Sequence, residues 1–244
     1  MSDEDKMRVV KCLDHGFVRL VDWMGSDVSI VRAARVSYDA AWRAGEDTKS
    51  DTRLINYLWR NAHTSPFEAV TFTFEVKAPI FVFRQWHRHR TQSYNELSGR
   101  YRELAEEFYL PEPEKVGLLS ENNKQARDLD SDPGGRLRAL RGVQIAEIDG
   151  HCQRAFAFYH ELLRVGWPRE LARMVLPLNT YSHMFSTINL LNLFRFLTLR
   201  LHPHAQYEIA IYAKAMLDLI RPVVPVAAAA WDKYRPEART GSRT

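Results

Sequence analysis

The chain has 244 residues, 45% of them hydrophobic and 26% charged, and its 34 Lys and Arg against 30 Asp and Glu leave a formal net charge of +4. That composition supports one substantial core in a single domain, and a surplus of this size suits anionic small partners without marking a nucleic-acid binder. Two distant cysteines, Cys12 and Cys152, argue against a disulfide framework or zinc-thiolate site and for a reducing cytoplasm, while the acidic start and the lack of an apolar run of roughly 20 residues argue against a leader or membrane span.

In chain order, Asp27 is placed to cap a short helix to residue 34, and Asp51 another in which Leu54, Ile55, Leu58 and Trp59 form an apolar face. Residues 70–77 alternate, with Val70, Phe72, Phe74 and Val76 facing a core and Thr71, Thr73, Glu75 and Lys77 facing out, which predicts a strand. Pro79 then opens a helix over 80–87, with a continuing strand nearly as compatible. The polar stretch 120–137 reads as an exposed loop. Apolar residues from Leu140 recur at helical spacing until Gly166, Pro168 opens a further helix, and Pro177 breaks it. Residues 180–188 have strand composition, Asn189 caps a helix over 190–200, and a last helix over 204–220 ends at Pro222 and Pro225. The polar tail from Asp232 reads as disordered. The fold class expected is α+β, a small antiparallel sheet containing the 70–77 and 180–188 strands and flanked by helices.

Chemistry concentrates in residues 88–101, Arg-His-Arg-Thr-Gln-Ser-Tyr-Asn-Glu-Leu-Ser-Gly-Arg-Tyr. Arg88, Arg90 and Arg100 carry permanent planar charge suited to phosphate, and Ser98-Gly99 offers a hydroxyl and closely approachable backbone N–H groups. A solvated basic face would tolerate any order, whereas here one carboxylate, Glu96, sits among cations and Gly99 interrupts any helix.

This motif resembles the signature of the flavin-dependent thymidylate synthases. The resemblance continues through 31–37 (Val-Arg-Ala-Ala-Arg-Val-Ser), 63–68 (His-Thr-Ser-Pro-Phe-Glu), 78–82, 168–173 (Pro-Arg-Glu-Leu-Ala-Arg), 175–179 and 204–206 (His-Ala-Gln), about three quarters of the chain. It implies reductive methylation of dUMP to dTMP with FAD as cofactor, NADPH and methylenetetrahydrofolate as co-substrates, and a homotetramer with sites shared between subunits. It places Arg88, His89, Arg90, Thr91, Glu96, Ser37, Ser65, Asn189 and His204 near the flavin. It places Gln85, Trp86, Arg88, Glu96, Leu97, Ser98, Gly99, Arg100 and Arg173 near the nucleotide, with Arg200 facing the uracil. The nucleophile expected is neither cysteine, and Ser98, without a base among its neighbours, orients the nucleotide while hydride goes directly to C6.

Other readings stand beside these. Residues 65–68 form a serviceable capping box, Asn189 an ordinary N-cap, His63 a core histidine, and His87 with His89 or His202 with His204 a metal pair lacking a third ligand. Where the family pattern carries arginine and asparagine this chain has Leu191 and Arg195, and Arg195, one turn along on the same face, is expected to replace the missing arginine at the flavin. No Gly-x-Gly-x-x-Gly run is present. A nucleic-acid module stacking bases on Trp86, Tyr94 and Tyr101, and a flavoprotein of the same fold acting on another nucleotide, are the competing functions.

Overall fold

The structure is a computed structural model and describes residues 9–120, 127–128 and 136–234. It begins with a hairpin of β1 (Val9–Cys12) and β2 (Gly16–Met24), which sequence reading did not find. Val18 and Leu20 of β2 are buried, but Phe17 and Val21 occupy the opposite face, so apolar side chains on both faces blur the period of two. Helices α1 (Asp27–Arg35) and α2 (Thr48–Arg60) follow, capped differently from expectation. Asp47, not Asp51, caps α2, its carboxylate accepting from Lys49 N at 2.9 Å and Ser50 N at 3.1 Å. Asp51 is buried within α2, 2.7 Å from Arg35 Nη2 and 2.7 Å from Gly45 N. Asp27 lies at the start of α1, yet its carboxylate accepts from Val226 N and Ala227 N, so it caps a helix nearly 200 residues further on.

β3 (Thr71–Pro79) passes at Pro79 into α3 (Ile80–Trp86), the helical alternative of the two weighed for this stretch. Next come β4 (Ser93–Glu96), the helical turn α4 (Pro113–Val116) and a pair of two-residue strands, β5 (Leu118–Leu119) and β6 (Arg127–Asp128). The expected 120–137 loop is thus interrupted by β6 and ended by α5 (Arg136–Arg164), and its residues 121–126 and 129–135 lie outside the described residues. α5 runs to the αL turn at Gly166, φ +92°, as anticipated, and α6 (Arg169–Ala172) continues as a 3-10 turn to Val175.

β7 (Tyr181–Asn189) then passes at Asn189 into α7 (Leu190–Arg200), followed by α8 (Tyr207–Ile220) and α9 (Pro225–Tyr234). Pro225 therefore opens a helix as well as following one, and the polar Asp232 is helical and pairs with Arg221 at 2.7 Å, contrary to the disordered tail expected there. Residues 235–244 of that tail lie outside the described residues.

The five-stranded antiparallel sheet has the order β1-β2-β3-β7-β4. β3 and β7 pair along their full length, Thr71 opposite Asn189 and Pro79 opposite Tyr181. One face is dry: Phe72, Phe74 and Val76 are fully buried in the same core as Phe67, Trp86, Phe194, Phe196, Tyr212 and Trp231 of the covering segments. Burying each such side chain contributes roughly 1.5–3 kcal/mol. The other face carries Thr73, Glu75, Lys77, His183 and Thr187. A satellite cluster of Phe156, Tyr159, Leu162 and Ala172 seats α5 against α6.

Candidate functional site

The buried anchors of α3, Phe83 and Trp86, fix the start of the motif. Tyr94 Oη donates to the backbone oxygens of Trp86 at 3.2 Å and His89 at 2.8 Å, pinning the bend that joins α3 to β4. Gln92 Oε1 accepts from Trp86 Nε1 at 3.4 Å and from Ser186 Oγ at 2.7 Å. Trp86 was expected beside the nucleotide. Its indole is instead fully buried core, packed on Phe196 at 4.9 Å between centroids, and as core it offers no platform for base stacking.

This bend delivers His89 to Arg200, the last residue of α7. Arg200 Nε donates to His89 Nε2 at 2.9 Å, while Nη1 reaches Gln85 Oε1 at 3.5 Å and Nη2 reaches Gln85 O at 3.2 Å. Gln85, His89 and Arg200, far apart in sequence, are thereby one cluster. Burial first, and the Arg200 charge second, lower the His89 pKa to about 4. His89 is therefore neutral near neutral pH and, because an arginine nitrogen only donates, its Nε2 is the acceptor and its proton sits on Nδ1. Burial also lowers the proton affinity of Arg200, which remains charged as arginines do.

A folded-state pKa below the ordinary 6.5 means that the unfolded chain binds this proton more readily. The stability it contributes is present above pH 6.5 and is lost as pH falls toward about 4. Urea midpoints are expected to drop more steeply over that interval in wild type than in His89→Gln. Parallel profiles would remove His89 from the acid sensitivity.

A second assembly forms at the other end of β4. Arg100 N donates to Ser98 Oγ at 3.3 Å. Gly99 is buried, and a Cβ on it would lie 3.2 Å from Arg173 Cδ, so glycine lets the Arg173 stem cross the loop. Arg100 Nε pairs with Glu170 Oε2 at 3.2 Å, and Tyr159 Oη accepts from Leu104 N at 3.2 Å, joining the loop to the satellite cluster. Glu96 Oε1 accepts from Ser182 Oγ at 2.6 Å. Leu97 borders a cavity of about 280 Å³ with Lys77, Arg102, Tyr181 and His183. The four residues of β4, about 13 Å of extended strand, lie in the sequence between the two assemblies.

The remaining expected residues are scattered. Ser37, Ser65, Arg88, Arg90, Thr91, Arg195 and His204 are all exposed. Asn189 N-caps α7, its side-chain oxygen accepting from Asn192 N at 2.9 Å. Ser65 opens a 3-10 turn preceded by Thr64, with no side-chain cap, so the capping box is not formed. His63 is exposed, edge-on to Tyr57, and is no core histidine. Leu191 is buried, whereas Arg195 is exposed and bonds Asn192 Oδ1 at 3.1 Å.

Cys152 is buried as core packing, and burial pushes the Cys12 thiol up to about 12. Among the described residues no three His, Cys, Asp or Glu side chains are grouped to hold a metal, and no helix is long and apolar enough to cross a membrane. Sequence reading gave no role to Gln206, the N-cap of α8, which meets Gln85, or to Glu208 in the first turn of α8, which meets Gln206. The available signal was a glutamate in the apolar spacing of Ile209, Tyr212 and Ala213.

A family model described as Thymidylate synthase complementing protein matches residues 19–226. A flavin-dependent thymidylate synthase of Thermus thermophilus is 51% identical over 241 residues, covering 96% of this chain and 82% of the relative. One from Treponema denticola is 48% identical over 227 residues, covering 92% and 82%. Among solved structures, a UMP/dUMP methylase from Streptomyces cacaoi bound with 5-Br dUMP superposes with a TM-score of 0.80 at 35% identity, covering 93% of this chain and 98% of that one.

Proposed function

The chain belongs to the thymidylate synthase complementing protein family, and on that premise we propose that it is a flavin-dependent thymidylate synthase, a methyltransferase converting dUMP to dTMP. The carbon donor is methylenetetrahydrofolate, the cofactor is FAD and the reductant is NADPH, in the cytoplasm. The observation that carries the reading is the guanidinium of Arg200, fixed by Gln85 and His89 at the start of the signature motif.

In this reading Arg200 and Gln85 take the uracil oxygens and N3, and Ser98, Gly99, Arg100 and Arg173 take the phosphate, with Glu96 and Leu97 alongside. The exposed donors Arg88, Arg90 and Thr91 fit an anionic pyrophosphate, and Ser37, Ser65, Asn189, Arg195 and His204 add hydroxyl, amide and cationic groups toward the same cofactor. When bound, the flavin supplies the hydride that the pyrimidine receives. Because both cysteines are buried, Ser98 orients the nucleotide and no protein nucleophile attacks C6. Two half-sites placed beyond opposite ends of β4 on one chain favour completion by other copies, as in a homotetramer.

Arginine's fork is needed at the phosphate, so Arg173→Lys is expected to weaken dUMP binding about tenfold, measured by calorimetry. Arg100→Lys is expected to weaken it less, since Glu170 already engages that side chain. Unchanged affinity in both variants would place the phosphate elsewhere. The reading itself is tested by following flavin absorbance and dTMP formation with dUMP and, because the Streptomyces cacaoi neighbour is a UMP/dUMP methylase, with UMP in parallel. A colourless protein with no product from either nucleotide would overturn it.

A further inference from the structure

Gln85, which contacts Arg200 through both its side-chain and backbone oxygens, is itself held. Its Nε2 donates to Gln206 Oε1, and Gln206 Nε2 donates to Glu208 Oε2 at 2.8 Å. Glu208 is 3% exposed, and its carboxylate also meets Arg127 and accepts from Tyr109 Oη at 3.2 Å. Hydrogen bonds therefore run one way, from the guanidinium through two amides to a carboxylate. A carboxylate only accepts, so Gln206 must turn its NH2 toward Glu208, and its oxygen then receives the NH2 of Gln85. That in turn leaves the Gln85 oxygen for Arg200. Reversing Gln206 sets donor against donor at Gln85 and oxygen against carboxylate at Glu208, and reversing Gln85 sets donor against donor at Arg200 and oxygen against oxygen at Gln206.

A glutamate in the first turn of α8 would favour the helix dipole equally well from an exposed position. Burial is costly for a carboxylate unless its oxygens are engaged, and here one of them is directed at Gln206.

We propose that Gln206 and Glu208 are positioning residues for Arg200, locking the amide of Gln85 so that the guanidinium is presented to the nucleotide in a single orientation. This rests on the reading in which Arg200 meets the uracil.

The test compares wild type, Gln206→Leu, Arg200→Ala and the double variant by dUMP calorimetry and by kcat for dTMP formation. Gln206→Leu is expected to lose about five- to tenfold in kcat, within the range of one hydrogen bond, and to weaken dUMP in the same direction. Added to Arg200→Ala it is expected to cost nothing further in either measurement, because nothing remains to be positioned. A structural role would instead repeat its loss in that background.

Wild-type parameters in folded Gln206→Leu, or full additivity with Arg200→Ala, would overturn the proposal. Should Gln206→Leu not fold, the isosteric Glu208→Gln enters the same cycle with the same two outcomes. Absence of dTMP formation by wild type would sink the functional reading alone, since calorimetry still reports whether Gln206 acts through Arg200.

Discussion

Arg200→Ala is expected to lower turnover of dUMP about 10- to 100-fold, the equivalent of one charge-assisted hydrogen bond of roughly 1.5–3 kcal/mol. The hydrogen bonds of Arg200 go to the His89 imidazole, the Gln85 amide and the Gln85 backbone oxygen. None of these groups is an anion, so the positive charge is oriented without being neutralised. When a uracil ring accepts a hydride at C6, negative charge grows on its carbonyl and N3, and a preorganised cation stabilises that charge more than the ground state. Arg200→Lys, with a point charge and no fork, is expected to recover only part of the loss. dTMP formation at matched flavin content is the measurement, and undiminished turnover in Arg200→Ala would remove this residue from the chemistry.

Gly16→Ala is expected to destabilise the fold by about 3 kcal/mol or more. A Cβ there would stand 2.0 Å from Tyr212 Oη, 2.6 Å from Cys12 O and 2.8 Å from Lys77 O. Two of these are backbone atoms in strands, and the third is a fully buried tyrosine hydroxyl that donates to Lys77 O at 3.0 Å. Relief therefore requires moving β1 from β2 or breaking a buried hydrogen bond. Gly142→Ala in α5, where an added Cβ meets nothing within 4 Å, is the counterpart and is expected to gain roughly 0.5–1 kcal/mol. Urea unfolding of both variants decides the matter, and a Gly16→Ala midpoint equal to wild type would show that the hairpin yields freely.

The parts of the fold that sequence made legible are those where one face is wet and the other dry. β3 alternates cleanly, and Asn189 caps α7 through a contact three residues away. Local pattern failed where the deciding contact is distant. Asp27 reads as the cap of its own helix and instead serves α9, and Asp51 is taken by Arg35. β4 is a polar edge strand whose pairing with β7 leaves no apolar period to detect.

The site divides in the same way. The motif brought out His89 and the Ser98-Gly99-Arg100 loop, and the family resemblance implied Arg200, but neither showed that His89 gives up its charge to accept from Arg200. It also did not show that Trp86 is core, or that Gln206 and Glu208 stand behind Gln85. Those facts depend on burial and on side chains meeting from separate helices.

Each central strand runs directly into the helix that carries one half of the uracil-side cluster, β3 into α3 with Gln85 and β7 into α7 with Arg200. The sheet therefore acts as a gauge block for that cluster. The smallest slip that keeps Phe72 and Phe74 on the dry face is two residues, a displacement of about 6.6 Å between the helices, which no side-chain rotamer could span. Substitutions at the β3–β7 seam should accordingly register as kinetic defects at a site they never touch, and alignment of the two strands is a tolerance on which turnover depends.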